Sequence, residues 1–265
     1  MERKTEKQYK TMSKIIAIAN HKGGVGKTTS VASIGSVLAS KGKRVLLVDL
    51  DAQANLTGSF LTEEPEVSIY NAIKGDTLQT GEILPIVPIR QNLDIVPSSL
   101  EMSGVELEIS SRLSREYFLK DLLNTIQSKY DYILLDCPPS LGLITLNALV
   151  AADSLYIPLT AEALPSKGLV MLTDILQMVK KRLNPSLSLD GIIITRWENS
   201  KLSKMVEEQL RVTFGSVVFS TKIRKNISIA EAPLVAKDIL SYAPDSNGAK
   251  DYQSLAEEIL EREEK

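Results

Sequence analysis

With one cysteine in 265 residues, Cys137, the chain has no intrachain disulfide and cannot build a cysteine-only metal cage. An iron–sulfur cluster needs more thiolates than one per subunit supplies, even when two subunits meet. No apolar run is long enough to span a bilayer, and residues 1–14 lack the apolar core of a secretion signal. Net charge is −2, so no overall basic surplus advertises nucleic-acid binding. Internal repeats, low-complexity tracts and interdomain linkers are absent too. These absences leave the cytoplasm as the expected compartment. They also leave a single domain over 14–265, preceded by a flexible tail over 1–13.

What is present suits a soluble globular chain, with 43% hydrophobic and 24% charged residues. Near-continuous apolar runs at 14–19, 44–49, 93–96, 131–135, 154–159, 189–194 and 217–220 read as strands covered on both faces. Helical patterns fall at 27–40, 67–74, 115–128, 141–151, 166–182, 201–213 and 251–263. The alternation predicts an α/β three-layer sandwich, with a mainly parallel twisted sheet between helices. The segment 61–92 is less regular and reads as an excursion from the sheet edge. Leu255, Ile259 and Leu260 give the last helix an apolar stripe. Its mostly acidic charges would be repelled by anionic lipid, so packing on the sheet is expected.

The block Lys22-Gly23-Gly24-Val25-Gly26-Lys27-Thr28-Thr29 lies between the first strand and the first helix. Glycines let backbone N–H groups close around phosphates at a helix N-terminus. Lys27 is placed to reach the β- and γ-phosphates of ATP, and the Thr28 hydroxyl to bind Mg²⁺. The ordinary phosphate loop would have glycine at position 21; here it is His21, and Lys22 adds a second lysine. Lys22 either neutralises charge within its own subunit or reaches the nucleotide of a partner.

Two further strands end in acids. Strand 44–48 runs into Asp49-Leu50-Asp51, and strand 131–135 runs into Asp136-Cys137-Pro138-Pro139. Ligands of open α/β sheets bind beyond the carboxyl ends of such strands. Asp136 matches the metal-side acid of a phosphate-loop enzyme. Asp49 and Asp51 lie two apart and would point the same way on an extended strand. Asp51 is the candidate for orienting the attacking water, so Lys22, Lys27 and Asp51 form the catalytic set and Thr28, Asp51 and Asp136 the metal set.

Charge is also distributed unevenly. Between 201 and 225 six basic residues (Lys201, Lys204, Arg211, Lys222, Arg224, Lys225) meet two acids, Glu207 and Glu208. Between 251 and 265 six acids meet two bases.

Together with Val48-Asp49-Leu50-Asp51-Ala52-Gln53-Ala54-Asn55, Ile133-Leu134-Leu135-Asp136-Cys137-Pro138-Pro139-Ser140-Leu141-Gly142 and Ala230-Glu231-Ala232-Pro233, the double-lysine loop resembles the ParA/Soj partition ATPases. These belong to the deviant phosphate-loop group that includes MinD and the nitrogenase iron protein, and the resemblance covers 14–260. It implies a homodimer with ATP sandwiched and Lys22 crossing the interface. It implies Lys27 on the phosphates, Thr28 on Mg²⁺, Asp51 in the first switch and Asp136 opening the second. Adenine contacts fall on Arg224 and Asn226. The resemblance further implies non-specific DNA binding by the ATP dimer, on Lys201, Lys204, Lys222, Arg224 and Lys225, and hydrolysis stimulated by a ParB-type centromere-binding partner. The cycle would move plasmid or chromosome cargo over the nucleoid. The chain departs from the pattern at Ala52, where the family often has proline, and at 224–228, where Arg-Lys-Asn-Ile-Ser lacks the family's proline and second arginine. With no helix-turn-helix ahead of the first strand, operator recognition is not expected. The competing expectation is a MinD-like membrane-positioned ATPase without DNA binding.

Overall fold

The computed structural model describes residues 13–75, 83–161 and 167–264. Most of the predicted tail and the first residue of the predicted 166–182 helix lie outside the described residues. The strands are β1 (Lys14–Ile18), β2 (Val45–Asp49), β3 (Val87–Arg90), β4 (Leu93–Val96), β5 (Tyr132–Asp136), β6 (Ser154–Thr160), β7 (Ser188–Trp197) and β8 (Val218–Arg224). They form one sheet in the order β3-β4-β2-β5-β1-β6-β7-β8. Every pairing is parallel except the β3–β4 hairpin.

The helices are α1 (Lys27–Ser40), α2 (Asn55–Gly58), α3 (Ile69–Lys74), α4 (Val105–Ile109), α5 (Phe118–Asn124), α6 (Leu143–Ala151), α7 (Lys167–Arg182), α8 (Lys201–Phe214), α9 (Ile227–Glu231), α10 (Ile239–Tyr242) and α11 (Asn247–Glu263). Successive strand residues point to opposite faces, and both faces are apolar. Ile15, Ala17, Leu46 and Val48 join the core beneath α3 to α8. Ile16, Ile18, Val45 and Leu47 join the core beneath α1, α10 and α11. A buried Leu or Ile contributes about 1.5–3 kcal/mol relative to exposure, so strands buried on both sides supply the sandwich's main driving force.

The structure departs from the sequence pattern in places that propensity does not decide. The irregular segment 61–92 returns to the sheet as β3, an antiparallel outer strand that the pattern misses. Pro88 lies within β3 and is tolerated there because it need not donate to a second neighbour. The predicted 115–128 helix breaks into α5 and a 3₁₀ turn at Gln127–Lys129. Four short helices (α2, α4, α9 and α10) are too brief for periodicity to reveal. The last helix starts at Asn247, because Ser246 caps it by accepting from the Ala249 N–H at 3.1 Å. Leu255 and Ile259 are fully buried, so its apolar stripe is used on the core.

The opposite outer strand, β8, has side chains on its backbone. Glu258 accepts from the Ser220 and Thr221 N–H groups at 2.8 and 2.9 Å. Arg262 donates to the Val218 carbonyl at 3.2 Å, and Arg211 to that of Phe219 at 3.1 Å. The Arg262 guanidinium also lies 4.0 Å over the Phe219 ring.

Gly191 is enclosed by the edge-to-face pair Tyr156 and Phe219, whose ring centroids are 5.3 Å apart. A Cβ at this position would overlap both rings. Gly191→Ala is therefore expected to cost about 1–3 kcal/mol of stability, read as a lower urea midpoint with unchanged slope.

Candidate functional site

The parallel register brings three strand ends together. Ile18 pairs with Asp136, and Asp136 pairs with Asp49 across β1, β5 and β2. The loop leaving β1 is pinned at its base by buried Asn20. The Asn20 amide donates to the Pro158 carbonyl at 2.7 Å, and its oxygen accepts the Lys22 N–H at 3.0 Å. Gly24 and Gly26 then adopt positive φ, 71° and 89°, which only glycine enters freely. The loop is clamped from β7 as well, with the Thr195 hydroxyl 2.9 Å from the Val25 carbonyl.

The two lysines part company. Lys27 is 7% exposed, and its Nζ donates to the Lys22 carbonyl at 3.4 Å. Burial pulls the Lys27 pKa down, while Asp136 pushes it back up. Lys22 is exposed and does not line the cleft beneath its own loop. That cleft, about 810 Å³, runs from Gly23 and Thr29 past Asp51 to Arg224, Asn226 and Pro233. A pocket of this size at the carboxyl edge of a parallel sheet matches a ligand of nucleotide dimensions.

Extended geometry ends at Asp49, so Asp49 and Asp51 do not share an orientation, contrary to the sequence expectation. Asp49 is fully buried and acts as a clamp. It accepts from the Thr57 N–H and hydroxyl, both at 2.8 Å, and from the Asp51 N–H at 3.1 Å. The Thr57 oxygen in turn accepts the Ser98 N–H at 2.9 Å. Burial pushes the Asp49 pKa up to about 6 against the pull of these hydrogen bonds. Asp51 lies on the cleft, where its oxygen accepts the Gln53 N–H at 3.0 Å.

Asp136 is fully buried, and among the described residues neither carboxylate oxygen has a partner in hydrogen-bond geometry. Burial holds its pKa well above the usual carboxylate range, and Asp49 adds to that, while Thr28 and Lys27 oppose it. A buried acid with both oxygens unpaired is costly unless something cationic occupies the space beside it. The residues fit Mg²⁺, with Thr28 as direct oxygen donor and Asp136 in support. Among the described residues no three His, Cys, Asp or Glu side chains cluster as a metal cage. The remaining ligands would be phosphate oxygens and water, as Mg²⁺ prefers. Beyond Asp136, the Glu106 carboxylate accepts the Ile144 N–H at 3.0 Å and caps the start of α6. Cys137 is buried, and burial pushes its thiol pKa up, so it is unreactive.

Arg224 and Asn226 border the cleft but have other attachments. The Arg224 guanidinium bonds Asp251 at 2.6 Å, which raises its pKa, and the Asn226 oxygen accepts the Ser228 N–H at 2.9 Å. Of the basic set, Lys222 bonds Glu207 at 3.0 Å and stands 4.8 Å over the Trp197 ring. Lys225 pairs with Glu198 at 3.0 Å. Lys201 and Lys204 are exposed on α8 and, among the described residues, have no ion-pair partner. Sequence reasoning missed Arg196 and Lys237, which also line the cleft. The only signal for Arg196 was its place at the end of the 189–194 run.

A family model described as an AAA domain matches residues 13–189. The chain is 40% identical over 253 residues to the sporulation initiation inhibitor protein Soj of Bacillus subtilis, covering 94% of this chain and 98% of that protein. It is 38% identical over 261 residues to the chromosome partitioning protein ParA of Myxococcus xanthus, covering 97% and 92%. Among solved structures it is similar to cobyrinic acid a,c-diamide synthase of Mycobacterium smegmatis with bound ATP analogue and magnesium. That match has a TM-score of 0.81 at 32% identity and covers 94% of each chain.

Asp136→Asn removes the buried charge and keeps the shape. Without ligand the variant is expected to gain about 1 kcal/mol, a rise of roughly 2–4 °C in melting temperature. It is also expected to lose most of the stabilisation that Mg²⁺ and ADP together give the unaltered protein. Thermal melts with and without ligand check both.

Proposed function

The chain belongs to the Soj/ParA family of partition ATPases, and we propose that it is an ATP-controlled dimer that binds DNA non-specifically in chromosome or plasmid partition. ATP lies along the cleft, with its β- and γ-phosphates against the loop N–H groups and Lys27. Thr28 would hold Mg²⁺, with Asp136 in support, and the ion would supply neutralisation of charge on the phosphate oxygens. Asp51 accepts a hydrogen bond from the attacking water and aims its oxygen at the γ-phosphorus. A new P–O bond forms as the bond to the β–γ bridging oxygen breaks, leaving ADP and phosphate. Positioning and charge neutralisation suffice for this chemistry.

The observation that carries the dimer reading is the division of the two lysines. Lys27 is buried beside its own cleft, whereas Lys22 is exposed and does not line that cleft. Two subunits facing each other across their loops would each offer Lys22 to the partner's nucleotide. Hydrolysis then removes the phosphate that both subunits hold and releases the pair. A ParB-type protein that favours the hydrolytic geometry would time that release. The last helix supports the DNA reading over membrane positioning, because its apolar residues are buried and its exposed charges are mostly acidic.

Light scattering with a non-hydrolysable ATP analogue is expected to show a dimer, and with ADP a monomer. Lys22→Ala is expected to remain monomeric in both while melting like the unaltered protein. A Lys22→Ala dimer as abundant as the original would remove the trans role. DNA binding is expected only with the ATP analogue. If Lys201 and Lys204 of both subunits touch phosphates, raising salt from 50 to 200 mM should weaken binding about 100-fold, as checked by duplex titration at the two concentrations.

A further inference from the structure

β7 ends in a bulge: its pairing with β8 slips between Ile194 and Trp197. Arg196, inside the slip, has φ 51°. Bulges beside sites re-aim side chains, and left-handed backbone at a non-glycine residue persists only where its surroundings enforce it. The enforcement here is visible. Thr195 is 3% exposed, and its hydroxyl lies 2.9 Å from the Val25 carbonyl and 3.1 Å from that of Leu159. The end of β7 is thus locked to the phosphate loop, and the next side chain, Arg196, lines the cleft.

Ile223, Ile227 and Pro233 contribute apolar surface to the same cleft. A guanidinium is planar and weakly hydrated, and it stacks on aromatic faces. We propose that Arg196 is the nucleobase contact of this cleft, its guanidinium covering one face of a purine ring that rests on the Ile223, Ile227 and Pro233 surface. This rests on the nucleotide reading of the cleft and assigns the ring's contact to a residue outside the phosphate loop.

Calorimetric titration of ADP, AMP and inorganic tripolyphosphate into the unaltered protein, Arg196→Ala and Arg196→Lys tests the assignment, with ligand-free melts to show that both variants fold. Arg196→Ala is expected to weaken ADP and AMP by the same factor, about tenfold, and to leave tripolyphosphate unchanged. Arg196→Lys keeps the charge and loses the plane, so it is expected to restore little. Unchanged ADP affinity in Arg196→Ala overturns the assignment. So does a loss shared by tripolyphosphate and rescued by lysine, which makes Arg196 a phosphate contact. If the unaltered protein binds neither ADP nor tripolyphosphate, the nucleotide reading itself fails, and that result is distinct from either of the others.

Discussion

The register between β2 and β5 is the constraint from which the site follows. Pairing Asp49 with Asp136 places two carboxyl groups side by side at one edge of a sheet that is otherwise hydrocarbon. Two such neighbours cannot both carry full charge without help. The fold answers each differently. Asp49 is surrounded by N–H and O–H donors and becomes a structural clamp, holding the loop that bears Asp51 to the end of β4 through Thr57 and Ser98. Asp136 lacks such a ring of donors among the described residues, with only Thr28 and Lys27 favouring its charged form, and so its carboxylate fits a cation. Two chemically equal residues acquire different work from hydrogen bonding alone.

The parallel core and the phosphate loop were legible because they rest on local rules. Apolar runs of five residues, and glycines where φ must be positive, are written directly in the chain. The division between Asp49 and Asp51 was not legible, since it depends on where the strand stops, and that is decided by Thr57, eight residues away from Asp49. Arg196 was hidden for the same kind of reason: a bulge is fixed by the mismatch between two strands, and the sequence of either one carries no trace of it. β3 was obscured by Pro88, which argues against a strand except at an outer position.

Counting charges along 201–225 overstated the basic surface. Arg211 and Lys222 both bind Glu207, Arg224 binds Asp251 from α11, and Lys225 binds Glu198. Two of these three acids lie outside the segment that was counted. Among the described residues, what remains without an ion-pair partner is Lys201 and Lys204 at the start of α8, so the free basic surface is a small patch.

The side chains laid along β8 matter beyond stability. A bare outer strand is a template on which other chains can polymerise. Here a newcomer would have to displace the Glu258 carboxylate and the Arg262 and Arg211 guanidinium groups to reach the backbone of residues 218–221. The first half of that edge is therefore guarded against strand-on-strand growth by side chains of the same chain, with no need for a capping partner.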